Sequence, residues 1–232
     1  MLPLKDTIRS RSFPAVNWLI ILANLAVFAF VELPLGPRAL NRLVTAYGVV
    51  PVELVTTQPR ELLTLLTSMF LHAGWLHLIS NLWALYIFGD NVEDRMGSGR
   101  YLVFYLIGGV VAGLAQTLVN PRAEVPAIGA SGAIAGVLAA YLVLYPGSRV
   151  ITLIPLFFLP WFVEIPAIVY LGVWFVSQIF SGVLSLGMTA ATGGVAYWAH
   201  IGGFLCGLVL VLFFARRPRT HYRWYADEYR SW

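Results

Sequence analysis

The hydrophobic pattern of the chain divides it into long uncharged runs separated by short charged clusters. Four runs without Asp, Glu, Lys or Arg cover residues 12–31, 62–89, 101–121 and 125–148. A fifth run of 51 uncharged residues lies between Glu164 and Arg216 and is interrupted by a glycine-rich polar stretch at 181–194. Since a bilayer core about 30 Å thick requires about 20 apolar helical residues to cross it, the first four runs predict one transmembrane helix each and the fifth predicts two. The expected fold is an all-α membrane protein, a bundle of six transmembrane helices.

The run at 150–163 does not fit a crossing helix. It has only 14 residues and carries Pro155 and Pro160, so it is predicted to be an interfacial loop of re-entrant or surface character. At the N-terminus, a stub with three basic residues precedes the first apolar stretch. No small-residue cleavage pattern follows that stretch, which predicts a retained first helix rather than a removed signal.

The composition also indicates a membrane protein. Of the 232 residues, 59% are apolar and 11% are charged, against about 25% charged in an average soluble domain. These proportions exclude a water-soluble globule, a disordered chain and a DNA-binding module, and the single cysteine, Cys206, excludes an internal disulfide scaffold. The net charge of +4 does not require a nucleic-acid partner, because basic ends suit an anionic membrane surface.

The basic residues give the chain an orientation. With six crossings, one side of the membrane carries 11 Lys and Arg residues and the other carries 4. Because cytoplasmic loops retain Lys and Arg, both termini are predicted to be cytoplasmic. The expected organisation is a cytoplasmic tail at 1–14, a membrane domain at 15–214 and a basic cytoplasmic tail at 215–232. The compact form and short tails suit a bacterial inner membrane.

Three polar residues inside the predicted helices lie at one depth. Helices 2, 4 and 6 all run from the outer to the inner side, so the distance to the first cytoplasmic charge measures depth at about 1.5 Å per residue. By this measure Ser131, His200 and His77 lie about 27, 24 and 20 Å from that charge. Polar side chains in a membrane usually face the protein interior or a water-filled cavity, so we expect a shared chemical site in the outer third of the membrane.

Ser131 lies in the sequence Gly129-Ala130-Ser131-Gly132 at the predicted start of helix 4. Backbone N–H groups at a helix start lack partners within the helix and, with the partial positive charge of that end, can stabilise an oxyanion. The same small residues also suit close packing, since Gly132 and Gly136 have a GxxxG spacing. The motif by itself allows both interpretations.

His200 is the candidate partner of Ser131. It precedes Gly203 and Gly207, which are also four residues apart, so the small faces of helices 4 and 6 are expected to meet. At hydrogen-bond distance, a neutral histidine takes the serine proton during attack and returns it to the leaving amine. The alternative is a histidine that only forms a structural hydrogen bond between helices. No Asp or Glu lies inside the uncharged runs, so the expected machinery is a Ser–His dyad without a third carboxylate.

His77 and Asn81 are four residues apart and share one face of helix 2. Their side chains are donors suited to a developing oxyanion, in addition to the backbone N–H of Ser131, although an asparagine bonded to nearby backbone is an equal alternative. His72 lies about 140° around the helix from His77, so the two are not expected to converge as metal ligands. No HExxH motif and no pair of membrane carboxylates occurs, so no metal site is predicted.

Five motifs follow one another along the chain. They are Phe70-Leu71-His72, His77-x-x-x-Asn81, Glu93-x-Arg95-x-Gly97-Ser98-Gly99, Gly129-x-Ser131-Gly132 and Ala199-His200-x-x-Gly203. In this order they resemble the rhomboid family of intramembrane serine proteases, and the resemblance covers residues 15–214. It implies a six-helix bundle with a membrane-associated loop at 34–60 between helices 1 and 2. It also implies cleavage of transmembrane segments of membrane proteins near the outer membrane face, with no cofactor, metal or nucleotide.

The resemblance implies roles for single residues. Ser131 is expected to be the nucleophile and His200 the general base, while His77, Asn81 and the Ser131 backbone N–H stabilise the oxyanion. Close packing and loop geometry are expected of five glycines: Gly129, Gly132, Gly136, Gly203 and Gly207.

Three further residues are expected to be structural. Glu93 and Arg95 would fasten the turn after helix 2, with a solvated charge cluster as the competing interpretation, and His72 would support the loop. The chain departs from the family pattern at Leu63-Thr64, where many members carry Trp-Arg, and at Ala135, where some members place an aromatic ring that stacks on the catalytic histidine.

Two other classes of protein are compatible with a membrane bundle. A rhomboid-like pseudoprotease that binds membrane clients usually lacks the serine or the histidine, and both are present here. A small transporter that relays protons requires a continuous polar path, whereas the inner halves of helices 4 and 6, at 137–144 and 205–214, are apolar. The sequence does not identify a particular substrate or an oligomeric state. The expected partners are transmembrane protein substrates and the lipid bilayer.

Overall fold

The computed structural model describes residues 2–56, 59–156, 159–186 and 194–216. Its helices are α1 (Ala15–Val27), α2 (Pro37–Tyr47), α3 (Pro51–Thr56), α4 (Thr64–Thr67), α5 (Trp75–Ala84), α6 (Asp90–Met96), α7 (Ser98–Val119), α8 (Ser131–Leu144), α9 (Ala167–Ser185) and α10 (Tyr197–Phe214). π-Helical turns at Phe28–Glu32 and Leu85–Gly89 extend α1 and join α5 to α6, and 3-10 turns at Pro59–Leu63 and Ser68–Phe70 flank α4. The strands β1 (Leu2–Asp6), β2 (Arg149–Leu156) and β3 (Leu159–Pro166) form one antiparallel sheet in that order.

Each of the six segments predicted to cross the membrane contains a helix. Among the described residues, four helical stretches are long and apolar enough to cross: α1 with its π-helical turn, α7, α9 and α10. The pair Glu61–Phe70 and Trp75–Met96, bent by 84°, adds a fifth if it counts as one span. Helix α8 has 14 residues and is about 21 Å long, which is shorter than the bilayer core. The fold is mostly helical with four to five candidate spans, and the count of six stays a prediction.

Helix α8 forms the centre of the bundle. Ten of its 14 residues are buried, most of them alanine, glycine or an aliphatic residue, and it packs mainly against α10 and α7. A Cβ atom added to Gly203 would overlap the carbonyl oxygen of Gly132, and one added to Gly207 would overlap that of Gly136. The two glycine pairs therefore face each other, and the absence of side chains lets the backbones of α8 and α10 touch.

The outward surface of the bundle is apolar. Val173, Val176 and Phe180 on α9 are exposed, as are Leu212 and Phe213 on α10. Contiguous exposed apolar surface of this kind is rare on soluble monomers. Together with the long apolar helices, it fits an integral membrane protein.

Strands β2 and β3 correct the prediction of a loop at 150–163. They pair as an antiparallel hairpin in which Pro155 lies opposite Pro160, close to where the strands connect. Proline is tolerated at such a position because the end of a ladder requires few N–H donors. Both strands are rich in β-branched and aromatic residues, which favour extended backbone. The prediction weighed the segment only against the length of a helix and so missed its strand character.

Other predicted boundaries also change. Residues 2–6, expected to belong to a tail, form β1 and pair with β2, so the described chain is not purely helical. The polar stretch at 181–194 begins inside α9, which continues to Ser185, and 187–193 lie outside the described residues. The segment 34–60 contains α2 and α3 rather than only a loop. Of the predicted basic tail, 217–232 lie outside the described residues.

Both described ends of the chain lie on one face of the bundle. The N–H of Thr7 donates to the carbonyl oxygen of Arg149 at 3.0 Å, beside the pairing of β1 with β2. The N–H of Arg216, which follows α10, donates to the carbonyl oxygen of Arg95 on α6 at 2.9 Å. These contacts join the N-terminal segment to the hairpin and the end of α6 to the end of α10. All four parts belong to the side of the membrane that is predicted from the sequence to carry more Lys and Arg.

Asp6, the last residue of β1, anchors the N-terminal segment to the helices. Its Oδ2 accepts a hydrogen bond from the hydroxyl of Tyr141 at 2.5 Å and another from Nδ2 of Asn91 at 2.9 Å. Burial raises the pKa of Asp6 from 3.8 to about 7; the hydrogen bond from Tyr141 opposes this rise and the carboxylate of Asp90 adds to it. The folded chain therefore holds a proton on Asp6 over a pH range in which the unfolded chain has released it.

The docking of the N-terminal segment is expected to weaken as the pH rises from about 4 to about 7. A folded-state pKa above the unfolded value gives stability that is complete below the unfolded pKa and is lost as the pH rises through the folded one. Asp6→Asn cannot titrate and should make the docking independent of pH in this window. Amide hydrogen exchange of residues 2–8 at about pH 5 and about pH 8, corrected for intrinsic rates, measures the effect. Equal protection of the wild-type segment at both pH values would contradict the prediction.

Candidate active site

Ser131 is the first residue of α8 and follows a tight turn. Gly129 in this turn has a φ of +118°, a conformation that side chains other than glycine rarely adopt. The N–H of Gly129 donates to the carbonyl oxygen of Ser68 at 2.9 Å, which ties the turn to the helix break before α5. The hydroxyl of Ser131 is therefore held at a helix start, where backbone N–H groups lack partners within the helix.

The side chains of Ser131 and His200 are in contact. Oγ of Ser131 lies 2.7 Å from Nε2 of His200, and the histidine is buried in the first turn of α10 with 8% of its surface exposed. Gly132 and Gly203, whose backbones touch, follow these two residues by one and three positions. The close packing of α8 and α10 thus sets the distance between the hydroxyl and the imidazole.

The other ring nitrogen of His200 has a partner that was not predicted from the sequence. Nδ1 of His200 lies 2.8 Å from Oε1 of Gln178, which lies on α9. The indole of Trp174, one turn earlier, lies beside the imidazole with ring centroids 5.9 Å apart. Ala135 on α8 carries no ring, so the aromatic neighbour of the histidine comes from a different helix. An amide side chain within an apolar run is the signal that would have identified Gln178.

His77 and Asn81 lie beside the turn that precedes Ser131. A Cβ atom added to Gly129 would lie 2.6 Å from Cε1 and Nε2 of His77 and 3.7 Å from Nδ2 of Asn81. Nδ1 of His77 accepts the N–H of Ala73 at 3.3 Å, so the proton of the neutral ring is on Nε2, beside Gly129. Nδ2 of Asn81 is buried and has no hydrogen-bond partner among the described residues. Nε2–H of His77 and Nδ2–H of Asn81, two donors, therefore flank the same turn.

His72 lies in the helix break before α5. Its N–H donates to both carboxylate oxygens of the buried Glu32, at 3.0 and 3.2 Å, which ties the break to the end of the α1 segment. Its ring packs edge-on against His77, with centroids 5.1 Å apart. The angle of about 140° between the two histidines assumed a continuous helix, whereas α5 begins only at Trp75, so their rings are in contact. Within the described parts of the chain, no group of three or more His, Cys, Asp or Glu side chains could hold a metal ion.

Glu93 and Arg95 lie on α6, on the face that carries the chain ends. Glu93 is 1% exposed, and its carboxylate accepts two N–H groups at the start of α1, at 3.1 and 2.7 Å, and the hydroxyl of Ser98 at the start of α7, at 2.6 Å. The guanidinium of Arg95 lies 5.7 Å from the centre of the Tyr145 ring. A solvated charge cluster does not describe Glu93, whose carboxylate caps two helix starts.

A small cavity of about 30 Å³ lies beside Ser131. Its wall includes Gly129 and Gly132 and the small residues of α7 that face them, and the hydroxyl-bearing Ser68 lies on it as well. This volume has room for about two water molecules. Water can therefore be accommodated next to the serine within an otherwise apolar bundle.

Comparison with known proteins identifies the family. A model of the Rhomboid domain matches residues 59–217. The chain is 34% identical over 160 residues to "Rhomboid-like protein 11, chloroplastic" of Arabidopsis thaliana, covering 66% of this chain and 52% of that protein. It is 35% identical over 136 residues to "Rhomboid protease GluP" of Bacillus subtilis, covering 59% and 26%. It is 26% identical over 190 residues to "Rhomboid protein 1, mitochondrial" of Saccharomyces cerevisiae, covering 80% and 49%.

The chain belongs to the rhomboid family, whose members act in the bilayer and include serine proteases. It spans about half or less of the length of these three relatives. The names of the relatives mention a protease, a chloroplastic protein and a mitochondrial protein, so they do not single out a bacterial inner membrane.

Proposed function

We propose that this protein is an intramembrane serine endopeptidase that cleaves transmembrane segments of membrane-protein substrates near the outer membrane face. The observation that carries the proposal is the 2.7 Å contact between Oγ of Ser131 and Nε2 of His200 inside an apolar bundle. The buried pair supplies a nucleophile and a base, and the helix start and two further donors beside it can stabilise an oxyanion. Acyl transfer uses an arrangement of this kind.

The proposed reaction has two halves. Oγ of Ser131 attacks the scissile carbonyl carbon while Nε2 of His200 takes the hydroxyl proton, and the carbonyl oxygen becomes an oxyanion. The N–H of Ser131, Nε2–H of His77 and Nδ2–H of Asn81 donate to that oxyanion. When the C–N bond breaks, His200 gives its proton to the leaving amine, and water then hydrolyses the acyl-enzyme by the same route.

The proposed orientation has both termini and the hairpin on the cytoplasmic side and the dyad towards the outer face. It is supported by the excess of 11 over 4 basic residues and by the contacts that join both described ends on one face. Ser131 begins α8, whose other end leads into the hairpin. A bacterial inner membrane is the proposed host, and it stays a proposal because the names of two of the three relatives mention a chloroplast and a mitochondrion.

The test of this function is cleavage of single-pass substrates by the purified chain in proteoliposomes. A panel of transmembrane segments with Gly or Pro near the outer end favours local unwinding, which an endopeptidase acting on a helix requires. Product masses locate the cut, and we expect it within the outer part of the segment. Binding of the segments with no product at any enzyme concentration would instead identify a pseudoprotease.

Asn81→Ala is expected to lower kcat by about 10- to 1,000-fold, because it removes one oxyanion donor. KM should change little, since the oxyanion forms only in the transition state. Ser80→Ala is the matched control, because Ser80 is exposed on the same helix and its hydroxyl donates to the backbone carbonyl oxygen of His77. Equal kcat values for the two variants would remove Asn81 from the set of donors.

A further inference from the structure

The imidazole of His200 is contacted at both nitrogens. Nε2 faces Oγ of Ser131 at 2.7 Å, and Nδ1 faces Oε1 of Gln178 at 2.8 Å. A neutral imidazole has one N–H and one unprotonated nitrogen, so its tautomer decides whether Nε2 can accept the serine proton. The partner of Nδ1 therefore bears directly on the reaction at Ser131.

The hydrogen bonds on α9 determine which end of the Gln178 amide faces the histidine. Nε2 of Gln178 donates to Oγ of Ser177 at 3.1 Å and lies 3.4 Å from the carbonyl oxygen of Trp174. The hydroxyl of Ser177 itself donates to the Trp174 carbonyl at 2.6 Å, which leaves its oxygen free to accept. Both neighbours accept hydrogen bonds, so the NH₂ group of Gln178 faces them and its carbonyl oxygen faces His200.

We propose that Gln178 is a positioning residue that holds His200 in the Nδ1–H tautomer and leaves the Nε2 lone pair directed at Ser131. A carbonyl oxygen can only accept, so the nitrogen that faces it must carry the proton. The same contact fixes the ring plane, which Trp174 supports on one side. Gln178 occupies the position that a carboxylate holds in a catalytic triad, with a dipole in place of a full charge. Its effect on catalysis rests on the function proposed above, whereas its effect on the tautomer does not.

The first test reads the tautomer directly. The chain has four histidines, so the ¹⁵N spectrum of histidine-labelled protein in micelles is simple, and His200→Gln assigns the resonances of His200. We expect His200 to be Nδ1-protonated in the wild type and mixed or Nε2-protonated in Gln178→Met, which keeps the size of the side chain and lacks the oxygen. Nε2-protonated His200 in the wild type would overturn the proposal.

The second test measures kinetics. We expect Gln178→Met to lower kcat by about 10- to 100-fold with little change in KM, because a hydrogen bond to the general base is lost. Gln178→Glu keeps an accepting oxygen and should restore most of kcat. Its carboxylate stabilises the protonated imidazole, so the acidic limb of its pH–rate profile should move to higher pH. Recovery of kcat in Gln178→Glu but not in Gln178→Met, two side chains of similar size, separates a hydrogen bond to the general base from a side chain that only fills space.

Gln116→Met is the matched control. Oε1 of Gln116 accepts the N–H of Ala199 at 3.3 Å, whereas the two ring nitrogens of His200 are hydrogen-bonded to Gln178 and Ser131. Gln116→Met should therefore leave the tautomer of His200 and the acidic limb of the pH–rate profile unchanged. An unaltered tautomer and an unaltered kcat in Gln178→Met would overturn the proposal. If the wild type cleaves no substrate, the proposed function fails, and the tautomer spectra still decide the role of Gln178.

Discussion

Ser131→Ala is expected to abolish cleavage, with a loss on the order of 10⁴-fold or more, because the nucleophile and the proton donor of the first step disappear together. The change removes one oxygen atom, whose hydrogen bond in the structure is to His200. The turn before it depends on Gly129 and Ser68 rather than on the serine side chain. The variant should therefore fold and insert normally. Cleavage of a single-pass substrate in proteoliposomes, together with labelling by a fluorophosphonate probe, measures both the turnover and the reactivity of the hydroxyl.

The matched control for this experiment is Ser185→Ala. Ser185 lies at the end of α9 and donates to the carbonyl oxygen of Gly182, so its loss affects a serine without touching the dyad. We expect the Ser185→Ala variant to cleave the substrate and to be labelled by the fluorophosphonate probe as the wild type is. His200→Gln should also remove cleavage and labelling, since the base is then absent. Undiminished cleavage by Ser131→Ala would exclude the proposed mechanism, whatever the activity of the other variants.

The positions of the helices could be predicted from the gaps between charges because charge is strongly excluded from hydrocarbon. The contact between Ser131 and His200 could also be predicted from the sequence. A fixed rise per residue converts residue spacing into depth in the membrane, and this placed the two side chains at a similar depth. The lengths of the helices were harder to predict from the sequence. The uncharged run 125–148 is long enough to cross, but α8 covers only Ser131–Leu144. The turn at Gly129 delays its start, and Pro146 and Gly147 follow its end, as is typical of helix boundaries.

The features that the sequence did not predict depend on contacts between distant parts of the chain. β1 forms by pairing with β2, which lies about 150 residues later in the chain. The residues of β1 alone do not indicate this pairing. Gln178 reaches His200 only because α9 packs against α10. The rings of His72 and His77 meet because the helix breaks between them. Each of these features follows from tertiary packing, which the spacing of residues within one helix does not determine.

Gly203→Ala is expected to lower the rate of cleavage by about 100-fold or more, because a displacement of about 1 Å between catalytic groups has an effect of that size. The added Cβ would overlap the carbonyl oxygen of Gly132, so the backbones of α8 and α10 must separate next to both Ser131 and His200. Overpacking of this kind should also lower the free energy of unfolding by about 1–3 kcal/mol. Substrate cleavage and thermal unfolding in detergent measure the two effects.

Gly172→Ala separates this close contact from a general effect of replacing glycine in a helix. A Cβ atom added to Gly172 on α9 meets no atom within 4 Å, so it should leave cleavage unchanged and raise stability by up to about 1 kcal/mol through helix propensity. The contrast between the two variants identifies the contact of α8 with α10 as the element that sets the distance within the dyad. Wild-type cleavage by Gly203→Ala would show that the dyad tolerates separation of the two helices, and its geometry would then have to be held from α9 through Gln178.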